Sequence, residues 1–173
     1  SKDFPDHSQI LYLEDFKSAK SDAPSAYQRS GFILYPIIAN GTPYLPESLS
    51  RLSFYNELYN LDTKLGAEEQ IFIKYYLKDE FTGKSLPEWG GFQRAKAATV
   101  NPILGLIDIS NLPTGNFLLV VEALNKAGET VIKHESFFYR RNAQKQILPG
   151  EVDENTVSGS WVDFLGNLDS IVK

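Results

Sequence analysis

The stretch that decides the fold reads ILGLIDIS (residues 103–110), NLPTG (111–115), NFLLVVEAL (116–124), NKAGE (125–129) and TVIKHESFFYRR (130–141). Its three apolar runs are rich in Ile, Val, Leu and Phe, which favour β-strands. A corner with Pro113 and Gly115 separates the first two runs, and a short polar turn with Gly128 separates the last two. Three strands in succession are typical of the end of an immunoglobulin-like sandwich, an architecture that usually displays binding surfaces.

The earlier part of the chain adds further strand-like segments. Residues 71–78 show the clearest alternation, with Ile71, Ile73, Tyr75 and Leu77 on one face and two lysines on the other, which predicts a half-buried strand. The other predicted strands are residues 9–13, 31–35, 52–59, 84–86 and 92–98.

Three features of the loops complete the fold prediction. Residues 37–50 are predicted to be a long connection, and residues 87–91 are predicted to interrupt the strands. Phe117 occupies the position where sandwiches of this type often carry a corner tyrosine; it can pack but has no hydroxyl. No segment before residue 142 predicts a helix, so we expect about seven to nine strands in an all-β, immunoglobulin-like antiparallel sandwich.

The domain organisation is predicted from a change in amino-acid composition after residue 142. Residues 1–142 are predicted to form the sandwich, and residues 143–173 a linker and a short C-terminal helix. Trp161, Phe164, Leu165 and Leu168 recur at helical spacing, which indicates an amphipathic helix. A helix this short is marginal in water, so it is expected to dock on the sandwich or to begin a missing downstream domain.

Composition excludes several function classes. The net charge is −5, and acids and bases are mixed without a basic stripe, which argues against nucleic-acid partners. The absence of cysteine excludes disulfides, thiolate zinc sites and a cysteine nucleophile. No apolar run approaches the roughly 20 residues that a membrane-spanning helix needs.

Candidate catalytic or metal-binding groups are few. His7 and His134 are the two histidines, and neither is accompanied by a nucleophile motif. Residues 151–154 are acidic but lack the spacing of a calcium-binding loop. Glu57 with residues 68–69 offers carboxylates, but a glycosidase needs two of them facing one cleft. The chain is therefore predicted to be no enzyme and to carry no metal or cofactor.

Aromatic side chains are the remaining candidates for a binding site. Because side chains alternate between the two faces of a strand, Tyr55 and Tyr59 share one face of their strand, and Phe72 and Tyr76 share one face of theirs. Exposed rings would stack on sugars or bind a partner segment, whereas buried rings would simply fill the core. The candidate binding residues are Trp89, Phe92, Tyr55, Tyr59 and Tyr76.

Several segments resemble the β-domain of the GWxTD-domain-containing bacterial proteins. The matching segments are LSFYNELYN (52–60), IKYY (73–76), VNPIL (100–104), ISNLPTGNF (109–117) and FFYRRN (137–142). The resemblance covers roughly residues 8–142, but the Gly-Trp-x-Thr-Asp motif itself is absent from the chain. It implies the N-terminal part of an exported protein of the Gram-negative envelope, with no established catalytic residues to carry over.

We therefore expect a non-catalytic, extracytoplasmic module, periplasmic or associated with the outer membrane. It would bind an unknown protein partner or support a downstream domain. The alternative is a carbohydrate-binding module that uses exposed aromatic residues, with a glycan as ligand. A contiguous apolar patch or an open strand edge would favour the first function, and solvent-facing rings beside amide or carboxylate groups would favour the second.

Overall fold

The computed structural model describes residues 6–19, 28–37 and 41–143. Within these ranges the chain forms ten β-strands and a single short α-helix. The elements are β1 (Leu11–Ser18), β2 (Gln28–Arg29), β3 (Phe32–Pro36), β4 (Tyr44–Leu45), β5 (Arg51–Tyr59), α1 (Leu61–Leu65), β6 (Gln70–Asp79), β7 (Ser85–Lys96), β8 (Val100–Asp108), β9 (Gly115–Leu124) and β10 (Thr130–Arg140).

The strands form two five-stranded sheets, counted over the described residues. The first sheet has the order β2-β3-β1-β5-β8, and the second has the order β4-β10-β9-β6-β7. All pairs are antiparallel except β4 with β10. The orders β1-β5-β8 and β10-β9-β6 correspond to the A-B-E and G-F-C strands of immunoglobulin sandwiches. The predicted all-β immunoglobulin-like sandwich is confirmed.

The core lies between the two sheets and follows the period-two alternation of their strands. In β5, Phe54 and Leu58 are fully buried and point into this core. The alternation predicted for residues 71–78 is confirmed, because Ile71, Ile73 and Leu77 are at most 1% exposed. Each large aliphatic side chain buried in this way contributes about 1.5–3 kcal/mol to folding.

Residues 87–91 do not end a strand, contrary to the sequence-based prediction. The β6–β7 ladder passes from Tyr76–Gly90 directly to Leu77–Leu86, so the intervening residues form a bulge within β7. The bulge brings Trp89, which is 6% exposed, into the core.

Three short elements were not predicted. Strand β2 precedes the predicted strand of residues 31–35, strand β4 lies inside the expected long connection, and α1 follows β5. Helix α1 begins after Asn60, which has a left-handed φ of 62°, and it buries Leu61 completely. All three elements are too short to produce a periodic pattern in the sequence.

The corner between β8 and β9 is fastened by β10. Phe117 is buried and packs on Phe138, with ring centroids 5.7 Å apart. Arg140, fully buried, donates to the carbonyl oxygens of Ile109 (2.9 Å), Leu112 (3.4 Å), Pro46 (2.8 Å) and Leu49 (2.7 Å). The Arg140 guanidinium therefore stabilises this corner by hydrogen bonds to the backbone, as the hydroxyl of a corner tyrosine does in other immunoglobulin-like sandwiches.

Two predictions fall on parts of the chain outside the described residues. They are the amphipathic helix of residues 161–172 and the acidic residues 151–154.

Candidate functional site

A second hydrophobic cluster lies on the first sheet, on the face turned away from the core. In this cluster Leu13, Leu34 and Tyr55 are at most 5% exposed. Partly buried hydrophobic side chains pack against them, namely Phe16, Phe32 and Leu104. We call this surface the outer apolar face. A sheet with one side on the core usually carries polar side chains on the other, so the apolar composition is unusual.

Cross-strand pairing shows that the outer apolar face is continuous across the sheet. Leu11 of β1 lies opposite Tyr55 of β5, which in turn lies opposite Leu104 of β8. Leu106, two residues further along β8, is 40% exposed, and Leu11 is 38% exposed. The face therefore combines a buried centre with exposed leucines at its border.

A groove of about 360 Å³ opens at one end of the outer apolar face. It is lined by the N-terminal segment, by β3 and by the second half of β5. Its lining residues are Ser8, Gln9, Ile10, Leu11, Arg29, Leu34, Tyr55, Glu57 and Tyr59. Apolar and polar groups thus meet in one concave surface.

Glu57 is held between two tyrosines in this groove. Tyr55 donates its hydroxyl to Glu57 Oε2 (2.7 Å), and Tyr59 donates to Oε1 (2.8 Å). Burial and the Glu57 carboxylate together raise the pKa of Tyr55 to about 12. Burial and Glu57 also raise the pKa of Tyr59. Both hydroxyls therefore keep their protons and remain donors at physiological pH.

Ser8 attaches the N-terminal segment to β5 beside the groove. Its amide donates to the carbonyl of Glu57 (2.8 Å), and its hydroxyl oxygen accepts the Glu57 amide (2.9 Å). Asn56 donates its side-chain amide to the Ser8 carbonyl (2.9 Å). These bonds fix one wall of the groove.

The outer face of the second sheet has a different character. Tyr76 donates to Glu122 Oε2 (2.6 Å), Thr130 donates to Oε1 (2.9 Å), and Lys74 lies 3.8 Å from the same carboxylate. Although burial opposes ionisation, the Tyr76 and Thr130 hydrogen bonds and Lys74 lower the pKa of Glu122. The charge of Glu122 is therefore compensated within the protein.

The five candidate binding residues do not form one site. Tyr55 and Tyr59 meet in the groove, whereas Tyr76 and Phe92 lie on the opposite sheet. Phe92 is 56% exposed and stacks on Phe72 with centroids 5.6 Å apart. Trp89 is buried in the core and presents no ring to solvent, so the idea of a Trp89 sugar platform is wrong.

The other acidic candidates are separated as well. Glu68 pairs with Lys96 (3.6 Å) and Glu69 with Lys126 (3.0 Å). Neither glutamate lines the groove of Glu57. The structure thus does not bring these carboxylates together as a glycosidase pair.

Sequence reasoning missed the outer apolar face and the contact between the two histidines. The run from residue 103 to 107 contains apolar residues on both faces of a strand, which is the signal that could have revealed the outer face. His7 stacks on His134 with ring centroids 3.7 Å apart. No local pattern connects residues so distant in sequence.

Two kinds of feature are absent from the described ranges. No cluster of three or more His, Asp or Glu side chains there could hold a metal ion. No helix among the same residues has the length and hydrophobicity to cross a bilayer.

Comparisons with known proteins gave structural likenesses only. No family model matches the chain. No curated protein matches it either. An immunoglobulin-like protein from Pseudomonas aeruginosa aligns over 78% of this chain and 98% of its own, with 9% identity and a TM-score of 0.31. The DNA-bound alkylpurine DNA glycosylase AlkC of Pseudomonas fluorescens aligns over 59% of this chain, with 18% identity and a TM-score of 0.32. This chain spans 28% of the glycosylase chain.

Proposed function

We propose that this chain is a non-catalytic, extracytoplasmic module that binds another polypeptide through its outer apolar face. The observation that carries the proposal is the second hydrophobic cluster around Leu13, Leu34 and Tyr55, on the far side of the sheet from the core. The centre of this cluster is buried within the chain, and the exposed leucines at its border extend it to the surface, which supports an interaction site there. The exposed leucines at its border, Leu11 and Leu106, would be buried by a partner.

The composition of the groove supports a binding role over a catalytic one. Glu57 is the only carboxylate among the described residues that line it, and both of its oxygens accept tyrosine hydroxyls. Hydrolysis of a glycoside needs a second carboxyl group facing the same substrate. A carboxylate fixed in this way is suited to recognition.

The location is proposed from the sequence resemblance. Residues 52–60 and 109–117 resemble the β-domain of exported GWxTD-domain proteins, which supports a position in the bacterial envelope. The module would then precede the helical region of a longer protein. Fractionation of the native protein tests this, because a cytoplasmic protein would contradict it.

A glycan-binding module is the second candidate function, and the exposure of Phe92 favours it. This ring is 56% exposed, but one of its faces is occupied by Phe72. The site would lie on the second sheet, opposite the outer apolar face. The two functions therefore predict different surfaces.

Site-specific photo-crosslinking in the native protein tests the choice between them. A crosslinker is placed at Leu106 or, as the matched control, at Phe92, which is also an exposed hydrophobic residue on an outer face. We expect a discrete polypeptide adduct from position 106 that disappears in Leu11→Glu, and none from position 92. Adducts from position 92 alone, or a glycan that binds and is displaced by free sugar, would overturn the proposal.

A further inference from the structure

We infer that the groove beside the outer apolar face receives a cationic side chain, a lysine or an arginine, from the bound polypeptide. The inference rests on the proposed function and specifies the chemistry of the partner. It depends on a carboxylate that forms no ion pair with the described residues, on the aromatic hydroxyls that orient it, and on the apolar residues beside it.

Among the described residues, Glu57 and Glu122 accept tyrosine hydroxyls, and within that part of the chain an ion pair is formed by Glu122. Glu122 is approached by Lys74 at 3.8 Å. The ion pairs between described residues include none that involves Glu57. A half-buried carboxylate in an apolar setting is stabilised by an opposite charge, so Glu57 is the carboxylate that a partner's cation can pair with.

The hydrogen-bonding capacity of Glu57 is only partly used. A carboxylate offers about four lone-pair sites, and the Tyr55 and Tyr59 hydroxyls occupy one on each oxygen. An ammonium or guanidinium group can use the remaining sites. Because both oxygens are held in place, little side-chain freedom is lost when the cation binds.

The remaining lining suits the hydrocarbon stem of such a side chain. Ile10, Leu11 and Leu34 line the same groove as Glu57. Lysine and arginine place their methylene groups along apolar surfaces while the charged end reaches a polar partner. Tyr59 adds an aromatic ring, whose face attracts cations.

Arg29 also lines the groove, and its positive charge allows a second test of cation binding. Its positive charge is close enough to favour the ionised form of Tyr55, although burial dominates and raises the pKa of that group. The same charge would repel an incoming cation. Replacing it by glutamine should therefore strengthen cation binding.

The test uses n-pentylammonium and n-pentylguanidinium as probes and pentan-1-ol as their neutral counterpart. Binding is followed through the backbone amide signals of Ser8, Glu57 and Tyr59 in heteronuclear NMR spectra. We expect saturable shifts with both cations and not with the alcohol. Glu57→Gln should weaken binding about tenfold, whereas the control Glu122→Gln should leave it unchanged. Arg29→Gln should tighten it.

Three results would overturn the inference. They are equal shifts with the alcohol and the cations, unchanged binding in Glu57→Gln, and an absence of saturable shifts with either cation. None of these would affect the crosslinking at Leu106, so a failed cation site can be distinguished from a failed interaction surface. Conversely, cation binding without a Leu106 adduct would reject the proposed function and leave the groove as a separate site.

Discussion

The imidazole rings of His7 and His134 stack face to face, with centroids 3.7 Å apart and an interplanar angle of 6°. Neither ring nitrogen of His134 has a hydrogen-bond partner among the described residues. Burial and the neighbouring His7 lower the pKa of His134 to about 4. The stack joins the N-terminal segment to β10, and its surroundings favour the neutral form of His134.

This arrangement predicts a pH-dependent stability. The folded state resists a proton that the unfolded chain takes up near pH 6.5, so the stabilisation is present above that pH and is lost as the pH falls toward about 4. We expect a loss of about 1–2 kcal/mol in the free energy of unfolding, after allowance for partial exposure. Urea unfolding followed by circular dichroism between about pH 7 and about pH 5 measures it.

The control for this prediction is His134→Phe. A phenyl ring can still stack on His7 but takes up no proton. The variant should show a flatter dependence of stability on pH over the same range, where few carboxylates titrate. Equal slopes in the two proteins would show that His134 is not responsible.

Gly105 should tolerate no side chain. A Cβ atom at this position would lie 2.1 Å from Cε1 of Phe54, inside the core. We expect Gly105→Ala to lower the free energy of unfolding by about 1–3 kcal/mol, because the phenyl ring must move in a packed interior. Gly115→Ala is the matched control, since its Cβ would meet Phe117 at 3.3 Å. If both variants unfold at the same temperature, the close approach of Phe54 is not real.

Trp89 and Phe92 should differ sharply although both flank the Gly90–Gly91 pair. Trp89→Ala would leave a cavity in the core and lower the free energy of unfolding by about 3–5 kcal/mol. Phe92→Ala removes an exposed ring and should cost no more than about 1 kcal/mol. Chemical denaturation of the two variants decides the matter, and similar losses would contradict the assigned burial.

Arg140 and Arg141 give a second matched comparison. Arg140→Met removes the hydrogen-bond donors to four carbonyl oxygens. It should lower the free energy of unfolding by at least about 2 kcal/mol. Arg141 is exposed, so Arg141→Met should change it by no more than about 0.5 kcal/mol. Comparable denaturation midpoints would mean that the buried guanidinium does not stabilise the corner.

The sandwich could be predicted from the sequence because burial on one side imposes a period of two. The alternation of residues 71–78 and the three runs after residue 103 depend on local sequence alone. The bulge in β7 could not be predicted in this way. Gly91 leaves space for the ring of Tyr75, whose hydroxyl oxygen would lie 2.4 Å from a Cβ there. That requirement comes from the neighbouring strand. The two glycines alone look like the end of a strand in the sequence.

The site was predictable only in part. Period two places Tyr55 and Tyr59 on one face of a strand, and both line the groove; that Glu57 lies between them was not predicted. Which segment faces them depends on β1 lying between β3 and β5, a non-local pairing. The contributions of Ser8 and Leu34 to the groove therefore required the structure.

The burial of Arg140 also bears on the order of steps in folding. Its carbonyl partners at Pro46 and Ile109 are 94 and 31 residues away along the chain. A guanidinium gains its carbonyl partners only when both segments are in place, so we expect its desolvation to follow the rate-limiting step of folding. Interactions made that late slow unfolding and leave the folding rate nearly unchanged. We therefore expect the contacts of Arg140 to lengthen the lifetime of the folded sandwich, so that Arg140→Met unfolds faster and folds at nearly the same rate.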